Sequence, residues 1–322
     1  MRLRSSYPLV INILILLGIL PTASRAYTIR TQTLWDLTSE AEVIVLAHVD
    51  KTEPRPPTEP ATYFRNATIA HLSVLQAFKG KPTADLSVEY PEGMRCPSPP
   101  SYLEGEQVLA FLVKSERHYR TVAMQQGTRY LMPNEIDDYR NVIQEAVAIQ
   151  ATQPVAQDAK IRWMVHAAAR PATRWHGLFF LVPPPDFSAG TDAKGGTDSA
   201  AVMDIRVTPD QLKEIADGFI QFPVADHTLP MVLRLFQDYP NRAIDKTAIG
   251  LVESDLAKET PPPWLSQSIE LLRRRLGDPK AKAMPSRPFW EAVPVTTLRQ
   301  EWHAVRKRLR LPPVVPIKPP PN

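Results

Sequence analysis

The sequence predicts an α+β protein in which a five-stranded β-barrel is followed by an all-α domain. Two observations indicate this division. Between residues 42 and 132, short runs of β-branched and apolar residues are separated by turn-forming segments, which is typical of strands. From residue 134 onward, apolar residues recur every three or four positions, which is typical of amphipathic helices. We therefore place the barrel at residues 33–132 and the helical domain at residues 134–310.

Residues 1–26 have the features of a signal peptide. A positively charged start precedes a twelve-residue apolar run at 9–20, and the small residues Ser24 and Ala26 end the segment. A transmembrane helix needs about 20 apolar residues, so this run is too short to span a bilayer. We expect cleavage before Tyr27 and a periplasmic or secreted protein with no transmembrane segment after cleavage.

The charge balance and the cysteine content exclude some classes of protein to which the chain could belong. Without the three arginines of the signal peptide, 35 basic and 34 acidic residues remain, and this balance disfavours a nucleic-acid partner. Cys96 is the single cysteine, so no intramolecular disulfide can form and stability must come from hydrophobic burial. We interpret Cys96 as an incidental thiol in preference to a reactive thiol or an intermolecular bridge, because reactivity needs an activating environment.

The barrel is built around a long strand at residues 66–80, which ends in a Lys-Gly turn. Before it, Thr33 can cap a short helix. The other predicted strands lie at residues 42–49, 86–90, 107–113 and 119–124, with a short sixth at 128–132. Two proline-containing stretches, 50–65 and 91–106, separate the strands and are predicted to be loops.

Five strands at these spacings, one of them long and curled, fit a small Greek-key barrel of the oligonucleotide/oligosaccharide-binding (OB) type. Four segments carry a closer resemblance: Glu42–Val49, Ala67–Gly80 with its terminal Lys-Gly, Leu103–Leu112 with Gly-Glu before an apolar run, and Tyr119–Gly127. Together they resemble exported bacterial modules that are similar to the tissue-inhibitor-of-metalloproteinases (TIMP) and netrin barrel. The resemblance covers residues 33–132 and implies a fold, without an activity.

One property of the TIMP family does not transfer to this chain. Inhibitors of that family chelate the catalytic zinc of their target through an N-terminal cysteine that disulfides hold in place. The expected N-terminus here is Tyr27, and the single cysteine cannot form an intramolecular disulfide. The resemblance therefore assigns a zinc-chelating role to no residue of this chain.

The helical domain is predicted as a series of short amphipathic helices. Asn134 can cap the first, and apolar stripes mark the next two on either side of Pro171. Residues 183–202 are predicted to be a flexible loop, and Thr208 then begins a helix with a Thr-x-x-Gln capping box. Four further helices follow, and the proline-rich tail 311–322 is predicted to be disordered. This succession of helical hairpins resembles HEAT-type repeats in architecture only, because no fixed repeat length occurs.

The turn at Pro171 is flanked by the most polar local cluster of the helical domain. Two histidines and two arginines are predicted to converge there as a binding site: His166, Arg170, Arg174 and His176. The alternative is a solvated hairpin end, which has the same sequence pattern. No histidine has a recognised metal-ligand spacing and Cys96 has no cysteine partner, so we expect no metal and no cofactor.

Catalytic motifs are also missing from the sequence. It has no Gly-x-Ser-x-Gly elbow, no phosphate-binding glycine loop and no dinucleotide fingerprint. We therefore expect an exported, non-catalytic binding protein whose partner is another protein or a component of the cell envelope. Active sites assembled from distant residues leave no such motif, so an enzyme is disfavoured and not excluded.

Two other functions stay open. One is a regulator or inhibitor of a secreted protease that acts through the barrel-edge loops 50–65 and 91–106. The other is a cell-envelope hydrolase with its site between barrel and helices.

The C-terminal part of the helical domain is strongly basic. Residues 271–310 hold eleven basic and three acidic side chains. One interpretation is that they bind an anionic partner such as an acidic lipid or a cell-wall polymer. The favoured alternative is that both arginine-rich runs occupy the last turns of helices, where cations complement the helix dipole.

Overall fold

The computed structural model describes residues 31–56, 66–93, 97–182, 205–281 and 293–312. The predicted signal peptide, Cys96, the predicted loop 183–202 and the tail beyond Pro312 lie outside these ranges. Within them, a five-stranded barrel is followed by a series of helices, which confirms the predicted α+β class.

The strands of the described chain close into a barrel. They are β1 (Val43–Pro54), β2 (Ala67–Lys79), β3 (Asp85–Pro91), β4 (Gln107–Lys114), β5 (Tyr119–Thr121) and β6 (Thr128–Arg129). Five of them pair in the order β1-β2-β3-β5-β4, and β4 pairs back onto β1. β3 and β5 are parallel and the other neighbours are antiparallel, in agreement with the OB-type barrel predicted from the spacing. β6 adds a short pairing to β4.

β1 is longer than predicted. It continues past Val49 to Pro54, because β2 offers partners over this whole length and ends with Pro54 opposite Thr68. The first part of the predicted loop 50–65 is therefore strand. The side chains at this end of β1, from Asp50 to Pro54, are exposed or half-buried and none is a large apolar residue, so hydrophobicity alone does not reveal the strand.

β5 and β6 are shorter than predicted. Between them the chain forms a 3-10 helix at Met124–Gly127, preceded by Ala123 with a positive φ of 50°. Gly127 is required there, because a Cβ at this position would lie 2.0 Å from the carbonyl oxygen of Val122. This tight turn ends the extended conformation that the pattern predicts up to Met124.

The interior of the barrel is filled by aliphatic side chains from alternate strand positions. Val45 and Ala47 of β1 belong to the same cluster as Ala70 and Leu72 of β2, and all four are buried. The cluster also contains Val43, Val49, Leu86, Val88, Tyr102, Val108, Ala110 and Leu112.

The described helices are α1 (Leu34–Glu40), α2 (Ile136–Gln150), α3 (Gln157–Ala169), α4 (Arg174–Leu181), α5 (Pro209–Gln221), α6 (Leu229–Leu235), α7 (Arg242–Leu256), α8 (Leu265–Arg275) and α9 (Val295–Leu309). α1 and α5 begin at predicted caps, because Thr33 and Thr208 each form a complete capping box. The predicted cap Asn134 is wrong. Glu135 occupies the cap position of α2, and its carboxylate accepts a hydrogen bond from the N–H of Met132.

Barrel and helices share one hydrophobic core. Leu46 and Phe111, on the outer side of the barrel, belong to the same buried cluster as residues of α1, α2 and α3. Trp35 of α1 meets Trp163 of α3 edge to face, with ring centroids 5.1 Å apart. Trp163 also donates a hydrogen bond from Nε1 to the carbonyl of Val142 on α2, at 2.8 Å.

A second buried cluster joins the helices from α3 to α9, with Phe219 of α5 and Trp302 of α9 among its largest members. Together the two clusters bury the apolar stripe of each long helix, which is the main source of stability in a chain of this kind. Among the helices described, none has both the length and the apolar character needed to cross a bilayer.

Candidate functional site

The structure places the four predicted site residues in two different environments. Arg174 and His176 belong to α4 and are buried. His166 lies near the end of α3, Arg170 follows it, and both side chains are half exposed. The four residues therefore do not share one accessible surface.

Arg174 binds backbone carbonyl groups inside the helical region. Its Nε donates to the carbonyl of Ala168 at 3.3 Å, and its Nη2 donates to the carbonyls of Gly218 and Phe222 at 3.3 and 3.2 Å. The guanidinium lies 5.5 Å from the ring centroid of Phe219. Burial lowers the pKa of Arg174 to about 10, so the group stays charged at neutral pH. Arg174 thus ties α4 to α5.

His176 connects α4 to the start of α1. Its Nδ1 accepts a hydrogen bond from the backbone N–H of Leu34 at 3.2 Å. The imidazole also packs edge to face against Tyr139 and Trp175. Burial holds the pKa of His176 well below its usual value of 6.5, and the nearby cationic group of Arg129 acts in the same direction. His176 is therefore a neutral hydrogen-bond acceptor in the core.

His166 bridges three helices. Its Nδ1 lies 2.9 Å from Oε1 of Glu145 on α2, and its Nε2 lies 3.5 Å from Oε1 of Glu214 on α5. The hydrogen bond with Glu145 raises the pKa of His166 above 6.5, against the opposing effect of partial burial. Arg170 donates to the carbonyl of His166 at 2.9 Å, and its Nε lies 3.8 Å from a carboxylate oxygen of Asp138.

A surface groove of about 470 Å³ opens beside Arg170, between the end of α3 and one side of α5. It is lined by Ala169, Arg170, Asp210, Lys213, Glu214, Asp217, Gly218, Gln221 and Phe222. The α5 residues follow one another at helical spacing and so share one helix face. The helices approach closely at Gly218, where a Cβ would lie 2.1 Å from the carbonyl oxygen of Ala169. This glycine therefore sets the depth of the groove.

The groove carries charges of both signs. Its charged side chains are Arg170, Lys213, Asp210, Glu214 and Asp217. Lys213 pairs with Asp217 at 2.6 Å, but both side chains are mostly exposed, and such a pair is weak enough to be exchanged for contacts with a ligand. Phe222, with 49% of its surface exposed, adds an apolar element. The arrangement suits a ligand that has acidic, basic and apolar groups.

The α5 wall of this groove is the part that the sequence does not reveal. Lys213 and Glu214 follow His166 and Arg170 only after a long intervening stretch of chain, so no local pattern links the two pairs. The one feature of the sequence that could have predicted this side of the groove is the charged face of α5, which lies opposite the buried Ile215 and Phe219. A helix face exposed only to water has the same pattern.

A second polar cluster lies on the outer face of the barrel, across β1, β2 and β3. His71 of β2 lies directly opposite Ser87 of β3, and its Nδ1 is 3.5 Å from Oγ of Ser87. Its Nε2 is 2.9 Å from Oε1 of Glu53 on β1. Beside this row, Ser73 donates a hydrogen bond to Asp50 at 2.7 Å.

His48 and His71 therefore lie in strands, as their sequence positions indicate. Within the described residues, no group of three or more histidine, cysteine or acidic side chains is arranged to hold a metal ion.

Five of the described arginines within residues 271–310 form ion pairs inside the protein. Asp278, which is fully buried, accepts hydrogen bonds from Arg273 at 2.9 Å and from Arg308 at 2.6 Å. Arg274, Arg275 and Arg306 pair with Glu270, Asp245 and Glu253. The two arginine-rich runs occupy the last turns of α8 and α9. These ion pairs leave fewer cations for an anionic surface than the sequence suggests.

Comparison of the chain with models of known protein families gives no match, and comparison with curated proteins gives no significant relative. The resemblances to TIMP and netrin modules and to HEAT-type repeats therefore rest on sequence pattern and architecture. Function has to be argued from the sites themselves.

Proposed function

We propose that the chain is an exported binding protein that takes a peptide segment of a partner protein into the groove between α3 and α5. The observation that carries this proposal is the mixed set of side chains along the groove, where Arg170 and Lys213 supply cations, α5 supplies three carboxylates and Phe222 supplies an apolar contact. A peptide offers the complementary set of groups. The groove volume of about 470 Å³ lies in the usual range for ligand pockets.

Exposed charges in such a site contribute to orientation and association rate more than to affinity. We therefore expect weak to moderate binding that weakens as salt is raised, since the pairs are screened over about 10 Å at 0.1 M salt. Export rests on the signal-peptide features of residues 1–26. Export can be tested with a fusion of these residues to a reporter that is active only outside the cytoplasm.

The binding test uses the purified protein and a displayed library of random peptides. Peptides selected from the library are synthesised and their Kd values are measured. Combined replacement of Arg170 and Lys213 by alanine is expected to raise Kd about tenfold or more. Lys246→Ala, on the exposed side of α7, removes a similar charge away from the groove and is the control. Selection of no peptide, or equal Kd values in all variants, would contradict the proposal.

A regulator of a secreted protease is the second candidate, and a specific contact favours it. The backbone N–H and the hydroxyl of Thr52 both donate to Oε1 of Glu104, at 2.5 and 2.9 Å. Glu104, in the predicted loop 91–106, is thus joined to Thr52 near the end of β1, the strand that leads into the rest of the predicted loop 50–65. A protease panel assayed with the protein and with Glu104→Ala tests this candidate. Inhibition weakened by the substitution would support it, and unchanged protease rates throughout would reject it.

A further inference from the structure

Three residues on the outer face of the barrel have the arrangement of a nucleophile, a base and an orienting acid. Ser87, His71 and Glu53 come from three neighbouring strands and form a slanted row across the sheet, since Ser87 lies directly opposite His71 whereas Glu53 lies opposite Ile69. The distances are 3.5 Å from Ser87 Oγ to His71 Nδ1 and 2.9 Å from His71 Nε2 to Glu53 Oε1. The side chains of His71 and Glu53 are each 38% exposed, so the row is open to solvent and to a substrate.

The acid determines which nitrogen of His71 carries the proton. Hydrogen bonds from Lys51 and His71 hold the pKa of Glu53 below its usual value, so this side chain is a carboxylate and can only accept. His71 must then donate from Nε2. Its Nδ1 is left with a free lone pair that faces the hydroxyl of Ser87, which is the arrangement needed to activate a serine.

We propose that Ser87 is a nucleophile, activated by His71 and oriented through Glu53, that hydrolyses small esters with good leaving groups. Ser87 Oγ attacks the ester carbonyl carbon and forms the Oγ–C bond while its proton passes to Nδ1 of His71. The C–O bond to the leaving group then breaks, and His71 returns the proton to the departing alkoxide. Water attacks the acyl-serine, again with His71 as base, and releases the carboxylic acid and free Ser87.

The restriction to good leaving groups follows from the position of Ser87 in a strand. Oxyanion holes are usually built where backbone N–H groups converge, at sharp turns or helix N-termini. A mid-strand serine has no such convergence, so developing negative charge on the carbonyl oxygen is weakly stabilised. This activity is independent of peptide binding in the groove, and it goes beyond that proposed function.

The barrel itself offers a matched control. Ser73 lies on the same face of β2, opposite His48 of β1, but its hydroxyl donates to the carboxylate of Asp50 at 2.7 Å and not to a ring nitrogen. A serine that is merely exposed would react as Ser73 does, whereas an activated serine would react faster. The comparison separates activation from exposure.

The experiment treats the purified protein with a fluorophosphonate reporter, which loses fluoride as the serine oxygen bonds to phosphorus, and maps the labelled residue by mass spectrometry. We expect labelling of Ser87, none in Ser87→Ala, an unchanged rate in Ser73→Ala, and a rate reduced about tenfold or more in His71→Gln. Release of p-nitrophenolate from p-nitrophenyl acetate is expected to follow the same order.

Glu53 is a positioning residue, and rescue by a conservative variant tests it. Glu53→Gln is expected to lower the labelling rate several-fold, and Glu53→Asp is expected to restore part of the rate, because a carboxylate is again available to accept from Nε2 of His71. Thermal melts check that each variant is folded. No labelling of Ser87, equal labelling of Ser73, or an equal rate in folded His71→Gln would overturn the proposal.

Discussion

The imidazole of His176 accepts a hydrogen bond at Nδ1 from the backbone N–H of Leu34, 142 residues earlier in the chain. The first turn of a helix has backbone N–H groups without intrahelical partners, and Leu34 is the first residue of α1. A side chain of the helical region thus completes the start of the helix that precedes the barrel. The bond requires a neutral imidazole, because a protonated His176 has no acceptor to offer.

This bond predicts acid-sensitive stability. The pKa of His176 is held well below 6.5 in the folded protein, so the unfolded chain binds more protons once the pH falls below about 6.5. The free energy of unfolding should therefore fall with pH in that range. His176→Gln has no titratable side chain at position 176, so its free energy of unfolding should lack this part of the pH dependence. Urea denaturation of both proteins across this pH range, with the exposed His303→Gln as control, measures the difference; parallel slopes would contradict it.

The bridge formed by His166 predicts the opposite pH dependence. Its pKa is raised by Glu145, so the contribution to stability is complete below the unfolded pKa of about 6.5 and is lost as the pH rises through the higher folded value. NMR titration of the imidazole should give a midpoint above 6.5, and Glu145→Gln should lower it. Glu116→Gln, in an exposed turn, should leave the midpoint of His166 unchanged. A midpoint insensitive to Glu145 would contradict the bridge.

Asp278 predicts a large loss of stability. Its buried carboxylate accepts hydrogen bonds from Arg273 and Arg308, and Asp278→Asn would remove the negative charge that pairs with both arginines, of which Arg273 is nearly buried. Removing one partner of a buried ion pair costs about 3 kcal/mol or more, measurable by urea denaturation at neutral pH. Asp137→Asn, which breaks a pair whose carboxylate is 77% exposed, should cost less than about 1 kcal/mol. Similar losses in both variants would refute the assignment.

The same carboxylate gives a further pH signature. Burial alone would raise the pKa of Asp278, but the hydrogen bonds from Arg308 and Arg273 outweigh it and lower the pKa to about 2. The contribution of Asp278 to the free energy of unfolding is therefore complete above the unfolded pKa of 3.8. It is lost as the pH falls from 3.8 toward 2. Hydrogen exchange should show α9 loosening in Asp278→Asn before the barrel does.

The capping box of α5 predicts a smaller effect. Thr208 accepts from the N–H of Gln211 at 3.3 Å, and the side chain of Gln211 accepts from the N–H of Thr208 at 2.9 Å. Thr208→Ala should lower the free energy of unfolding by about 1 kcal/mol. Thr208→Ser should retain most of the stabilisation, because the serine hydroxyl can still accept the capping hydrogen bond. Thr296→Ala, at an exposed position of α9, controls for loss of a threonine elsewhere in a helix. A thermal melt of Thr208→Ala that matches the unsubstituted protein would count against the cap.

Local patterns predicted most of the fold. Thr33 and Thr208 satisfy a capping rule that involves only neighbours three residues away, so the starts of α1 and α5 could be recognised without tertiary information. The end of β1 could not, because Lys51 to Pro54 become strand through pairing with β2. Long-range pairing overrides the local preference of polar residues for loops.

The sites were less accessible to sequence reasoning. His166 and His176 have similar sequence surroundings, yet one is half exposed and the other buried. His166 contacts carboxylates of α2 and α5 at the surface, whereas His176 packs against the start of α1. The row of Ser87, His71 and Glu53 is set by strand register, which brings together residues that no motif spacing connects. Register is decided by the whole sheet.

The tryptophan contact between Trp35 and Trp163 has a consequence for how such a chain can evolve. A gene fragment ending after β6 would leave Leu46, Phe111 and Trp35 facing water, and the resulting polypeptide would be prone to aggregate. The OB-type barrel of this chain is therefore not an independent folding unit. Recombination can pass it to another protein only together with α2 and α3, or with a substitute that covers the same flank.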